Sequence, residues 1–160
     1  MYSCYSPCFT EADLTNVSSI GLGAFMGNQS LVNVTLSKNI EYVSDYKFAN
    51  WSKLENSTLP NNVTKVNDYA FYNTGLKAIN LELIEEIGVA ALFNTKLTTI
   101  TLKDNVVIDD QAFYYAKKLI NVDNSENITS VGAYAFTLTG IDTIDLSNTE
   151  SIGDYAFSQS

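Results

Sequence analysis

Four aspartates, Asp45, Asp68, Asp110 and Asp154, hold one position in four of seven copies of a short recurring sentence. If the copies stack at about 5 Å, neighbouring carboxylates such as Asp45 and Asp68 could share a calcium ion with nearby carbonyls. Val89 and Ala133 interrupt the row. Capping is therefore the stronger reading: each carboxylate accepts backbone N–H groups of a short turn. Other reactive types are sparse. The chain has no histidine, so the commonest general base is missing and neither cysteine has a partner to activate it. Cys4 and Cys8 stand in a Cys-x3-Cys arrangement before the first copy, as free thiols or as a small disulfide loop. With no further cysteine they cannot complete four metal ligands. Glu85-Glu86 and Asp109-Asp110 are adjacent carboxylates, which read as solvated corners rather than acid/base pairs, and no glycine-rich phosphate loop is present. The sequence offers no catalytic residue, no metal site and no cofactor site.

Charge narrows the partners. Nine lysines, no arginine and 18 acidic residues give a net charge of -9. Nucleic-acid binding would need a basic stripe, and phosphate recognition favours the arginine fork; both are missing. No run approaches the roughly 18 apolar residues of a membrane span, so direct insertion is not expected.

The elements that position these residues repeat. Val66-Asn67-Asp68-Tyr69-Ala70-Phe71 recurs as Val43 to Phe48, Ile87 to Leu92, Ile108 to Phe113, Val131 to Phe136 and Ile152 to Phe157, with a first copy at Ile20 to Phe25. The aromatic column from Phe25 to Phe157 is spaced 23, 23, 21, 21, 23 and 21. A second column, Leu31, Leu54, Leu76, Leu97, Leu119 and Ile141, is spaced 23, 22, 21, 22 and 22. Such a period means stacked supersecondary units, none able to bury its apolar face alone. Small differences in length are expected in the loops.

Within each unit an alternating stretch such as Leu97 to Leu102 puts Ile100 and Leu102 on one face and Thr99 and Thr101 on the other. Ser57 and Asn124 break the apolar pattern of their copies. One stack of six strands is expected, about 30 Å long at 4.8 Å per strand. A further apolar pair follows, as in Val63 and Val66, then a column of Gly21, Ser44, Asn67, Gly88, Asp109, Gly132 and Gly153. Residues of these types tolerate left-handed backbone, which predicts a tight corner there. Only Asp109 to Leu119 reads as more than one helical turn.

The pattern resembles the BspA-like, Treponema-type class of leucine-rich repeats, whose unit reads roughly LxxIxLPxxVxxIGxYAFxxC. Leu76 to Leu81 and Ile152 to Phe157 carry the resemblance best. The proline after the strand survives only as Pro60, and Thr74, Thr95, Ala116 and Thr139 replace the late cysteine. The resemblance implies a right-handed, mainly β leucine-rich-repeat solenoid of six to seven turns over residues 14–160, behind a tail or cap at 1–13. It also implies surface-exposed adhesion: a non-catalytic module outside the cell, binding a protein or glycan on a host or neighbouring cell. The alternative is a structural spacer that displays another domain. Met1 to Cys4 lacks a signal segment, so the expectation is an export signal outside this sequence.

Outward positions of the strands form the candidate binding face, Thr35, Thr58, Asn80, Thr101, Asp123 and Asp145. It lacks Trp, Tyr and Arg, the usual carriers of interface energy. The aromatics Trp51, Tyr72, Tyr114 and Tyr115 read as exposed on the opposite, loop-bearing side. Tyr46, Tyr69, Tyr134 and Tyr155 form a structural stack with hydroxyls toward solvent. Seven sequons, at Asn16, Asn28, Asn33, Asn50, Asn56, Asn62 and Asn127, follow from Asn-, Ser- and Thr-rich strands and loops. After Phe157 no polar cap follows, so the array reads as uncapped or as part of a longer one. Leu146, Ile152 and Phe157 are then expected to mediate a homodimer that pairs the strands near Thr143 to Ser147.

Overall fold

A computed structural model describes residues 9–17 and 29–160. Among them the chain forms a parallel β solenoid of about six turns, with one short 3-10 turn at Ser125–Asn127 and no α-helix. Each turn has three faces. On the first lie β1 (Glu11–Asp13), β2 (Asn33–Thr35), β4 (Asn56–Thr58), β6 (Ala78–Ile79), β8 (Thr99–Thr101) and β10 (Asn121–Asp123). The second carries β3 (Tyr42–Val43), β5 (Lys65–Val66), β7 (Glu86–Ile87), β9 (Val106–Ile108), β11 (Ile128–Val131) and β12 (Ser151–Ile152). The third is the Ala-Phe corner. The first paired strand, β1, lies within residues 1–13, the segment read as a tail or cap, and pairs in register with β2.

The core columns stand where periodicity places them. Val34, Ile100, Leu59, Leu81 and Leu102 point inward from the first face; Val43, Val66, Ile87, Ile108 and Val131 do so from the second. Phe48, Phe71, Leu92, Phe113 and Phe136 are fully buried, and Phe157 at the last turn is half-buried. The phenyl rings stack along the axis at 5.0 Å (Phe48 on Phe71), 5.1 Å (Phe113 on Phe136) and 5.4 Å (Phe136 on Phe157).

Several expectations change. A second six-strand sheet replaces the single stack, because the apolar residue before the small-residue column is itself a strand with in-register partners, Val43↔Val66 and Ile87↔Ile108. The first face is not one sheet. It splits into β1-β2-β4-β6 and β8-β10, with no strand pairing between β6 and β8. The corner is also displaced. Left-handed backbone lies at Tyr46, Tyr69, Ala90, Gln111, Tyr134 and Tyr155 (φ 50–58°) and again four residues on, at Asn50, Asn73, Asn94, Tyr115, Leu138 and Gln159 (φ 51–64°).

Close packing explains the small-residue column instead. A Cβ on Gly132 would lie 2.4 Å from the amide nitrogen of Asp110 in the turn below, and one on Gly88 would lie 2.6 Å from Asp68 Oδ1. The left-handed residues Gln111 and Tyr115 turn the chain twice within Asp109 to Leu119, so no helix forms there. An insertion expected in a loop is held as a bulge: Ile128 and Ser130 face Val106 and Val107, which leaves Thr129 as the extra residue.

From the first to the second left-handed residue of each corner, the main-chain bonds between turns all run the same way. Phe71, Tyr69 and Asn73 donate their N–H groups to Ala91, Val89 and Phe93 of the next turn. The pattern repeats through five interfaces, at 2.8–3.1 Å. Between these donors, intervening residues close on the carbonyl three back, as Ala70 does on Asn67. Thr74, Thr95 and Thr139, which replace the resembling family's cysteine, are buried and donate their hydroxyls to the carbonyls of Phe71, Leu92 and Phe136.

Candidate binding surface

The row of outward strand residues is less uniform than its parity suggests. Thr35, Thr58, Asp123 and Asp145 are exposed, while Thr101 and Asn80 are half-buried. Asn80 turns its amide onto the previous turn: Leu59 N–H donates to Asn80 Oδ1 at 2.7 Å, and Asn80 Nδ2 donates to the Leu59 carbonyl at 3.0 Å. The side chain thus mimics a strand partner just beyond the β4–β6 pairing, so its amide is committed to the neighbouring turn. Beside the row, Asn56 donates to Asn33, and Asn33 to Glu11. The face is a set of small polar groups, of which the flanking Asn33 and Asn56 are engaged with their neighbours.

Farther along, Thr143 to Ser147 does not form the expected strand on β10. Asp145 N–H bonds Ser125 Oγ, and Asp145 Oδ1 accepts from Ser147 N–H in a local turn that holds its carboxyl below the usual range. An open cleft of about 620 Å³ separates this segment from Asn121 to Asp123. Leu146 and Phe157 are half-buried, and Ile152 is 53% exposed.

The corner presents a different surface. Tyr46 stacks on Tyr69 at 4.7 Å with the planes 3° apart. Tyr69 meets Tyr72 at 5.7 Å; Tyr72, Phe93 and Tyr114 then stack at 4.6 and 5.2 Å. Tyr114 meets Tyr134 at 6.4 Å, and Tyr134 stacks on Tyr155 at 5.1 Å. Seven rings make one stripe across all six turns. Tyr46 and Tyr155 are 59% and 65% exposed, and among the described residues no tyrosine hydroxyl of the stripe has a protein partner. The left-handed backbone at Tyr46, Tyr69, Tyr134 and Tyr155 turns these side chains away from the core that receives the following Phe. Trp51, expected on this exposed side, is 5% exposed and packs edge-on against Phe48 at 5.0 Å.

The aspartate column runs beside the stripe, and two of its four members cap the neighbouring turn rather than their own. Asp68 Oδ1 accepts from Val89 N–H at 2.9 Å and Asp110 Oδ1 from Ala133 N–H at 2.7 Å. Among the described residues no group of three metal-ligating side chains comes together. The adjacent carboxylates are tied to cations on other turns: Lys65 to Glu86 at 2.5 Å and Lys103 to Glu85 at 2.6 Å. Lys103 holds the Glu85 carboxyl below its ordinary range. Asp109 is pushed up, first by burial and then by Glu86, Asp68 and Asp110. Cys4, Cys8, Asn28 and the first copy, Ile20 to Phe25, lie outside the described residues. No described helix is long and apolar enough to cross a membrane.

Parallel turns of 21–23 residues, with aliphatic strands on two faces and Ala-Phe at the corner, define a leucine-rich-repeat solenoid. The sequence profile of the BspA type leucine rich repeat region matches six copies, over residues 1–109 and 48–160, and the chain belongs to that family. Among solved structures, a leucine-rich repeat protein from Bacteroides ovatus is 20% identical with a TM-score of 0.41, over 86% of this chain and 49% of its own. This chain thus spans about half the length of that protein. The T. pallidum leucine rich repeat protein is 20% identical with a TM-score of 0.49, over 81% of this chain and 69% of its own. No curated protein matches the sequence.

Proposed function

We propose that the chain is a non-catalytic adhesion module, displayed at the cell surface or outside the cell, that binds a macromolecule of a host or neighbouring cell. The observation that carries this reading is the seven-ring stripe, a partly exposed run of interface-type residues across the six described corners. Family membership supports it, since these repeats generally carry recognition rather than chemistry. The strand face, with Thr35, Thr58, Thr101 and Asp123, belongs to the same proposal as a secondary contact surface of weak polar groups.

The test is binding of the labelled protein to cultured cells and to extracellular-matrix preparations. Tyr46→Ala with Tyr155→Ala should cut binding about tenfold or more, with the circular dichroism spectrum unchanged. Thr58→Lys with Asp123→Lys should have a smaller effect. If neither pair changes a measurable binding signal, or if no signal exists, the spacer reading replaces adhesion.

A further inference from the structure

The stripe has a chemical companion that narrows what it can hold. Asp45, Asp110 and Asp154 are exposed and Asp68 half-buried, and each stands one residue ahead of a left-handed corner residue, Tyr46, Tyr69, Gln111 or Tyr155. None of the four is in an ion pair among the described residues. Near the first described turns the aspartate column borders a recess of about 340 Å³ lined by Asp45, Asn67 and Asp68 together with Tyr42, Lys65 and Glu86 of the second face. Its only lysine is bound to Glu86, which leaves Asp45 and one oxygen of Asp68 facing the space without a cation.

The rings narrow the choice further. Because they stack on one another, most faces are covered, and what reaches solvent is edges, hydroxyls and the outer rings Tyr46 and Tyr155. Flat apolar ligands therefore gain little. A cation gains from the carboxylates and hydroxyls along the row, and from the open ring faces of Tyr46 and Tyr155 at its ends. The chain itself supplies an example on Tyr115, the neighbour of Tyr114: Lys117 Nζ lies 4.1 Å from its ring centroid. With a net charge of -9 and no arginine, the molecule has few cations of its own to compete.

We propose that this acid-flanked aromatic stripe is a docking track for an extended protein segment bearing lysine or arginine. The proposal rests on the adhesion reading and gives its partner a chemistry. Five steps of about 4.8 Å make a track of roughly 24 Å, matching about seven residues of extended chain. Alternate side chains of such a segment, about 6.6 Å apart, would set cations down along the row of aspartates and tyrosine hydroxyls.

The test is fluorescence anisotropy with a labelled Lys-Ser-Lys-Ser-Lys-Ser-Lys-Ser peptide and a matched Glu-Ser peptide, on the whole chain. The basic peptide should bind and weaken with added salt, and the acidic one should not bind. Tyr46→Leu with Tyr155→Leu, which leaves the charge unaltered, should weaken binding about fivefold or more. Asp45→Asn with Asp68→Asn should do the same, while the equal charge change Glu82→Gln with Asp104→Asn, away from the stripe, should alter it less than about twofold. Equal effects of the two neutralising pairs would reduce the attraction to net charge and overturn the proposal, as would full binding by the tyrosine pair. If cells bind the protein through the stripe but the basic peptide neither binds nor competes, the cationic partner is wrong while adhesion stands. Failure of all cell binding removes adhesion itself.

Discussion

The strand face and the Ala-Phe corner wrap the same core at the same spacing, yet one is broken and the other is continuous. On the strand face, main-chain pairing fails between β6 and β8 and again beyond β10. At the corner, each of five interfaces keeps three N–H donations. The difference lies in what holds the turns together. Strands of two or three residues make few hydrogen bonds, so a poor side chain in the column is felt at once. Ser57 is a poor side chain in that column, buried between Val34 and Ile79 with its hydroxyl unpartnered, although β4 itself keeps both of its strand partners. The corner combines its bonds with a full column of stacked rings. It therefore sustains twelve left-handed non-glycine residues, a conformation that costs of order 1 kcal/mol or more each outside a supporting structure.

This contrast can be tested by mutation. Phe71→Ala removes a fully buried ring stacked on Phe48 and should cost about 3–5 kcal/mol in denaturant unfolding. A loss below 1 kcal/mol would deny the corner its leading part. Gly132→Ala drives a methyl into the Asp109–Asp110 backbone and should cost about 1–3 kcal/mol. On the broken face the sign reverses. Ser57→Val exchanges a buried, unbonded hydroxyl for two methyl groups beside Val34 and Ile79 and should stabilise by about 1 kcal/mol. A loss of stability would mean that the core around Ser57 is not under-packed.

The smallest effect concerns Asp109. Its folded pKa is raised above the usual 3.8 by burial and neighbouring carboxylates, so the folded state holds this proton more tightly than the unfolded chain does. The group's contribution to stability therefore falls as pH rises from 3.8 through the folded value, and the penalty is complete at neutral pH. Asp109→Asn should raise stability at pH 7 by about a few tenths of a kcal/mol, because the site is half-exposed and screened. That gain should disappear in acid, as melting at both pH values would show.

Most of the core was legible because it obeys two simple periods, two residues within a strand and 21–23 between turns. The second sheet was not, since its two- to four-residue strands leave too little alternation to see. The left-handed corner escaped because glycine and asparagine usually mark such backbone, whereas here tyrosine adopts it, supported by three inter-turn bonds. Trp51 lies among Asn50, Ser52 and Lys53 and reads as surface; a contact with Phe48 buries it. Asn80 has outward parity, and only the geometry of Leu59, 21 residues earlier, diverts its amide. The stripe was half visible. Four tyrosines fall in one column, but Phe93 and Tyr114 join them through a second column that only three dimensions bring alongside.

The one-way bonding at the corner bears on how such a gene can change length. Each turn receives from its predecessor the same three donors that it offers to its successor, so any two turns present interchangeable ends. Whole units can be gained or lost without altering the joints, provided that the cut spares pairs that straddle them. Asp68 with Gly88 and Asp110 with Gly132 are two such pairs, since each carboxylate sits where a Cβ on its glycine would have to go. Crossovers in the polar stretch after the corner, such as Asn94-Thr95-Lys96, carry each aspartate and the glycine above it together when two or more turns move as a block. A single duplicated turn instead sets a new neighbour over its aspartate, and a glycine in the small-residue column is what lets that junction close.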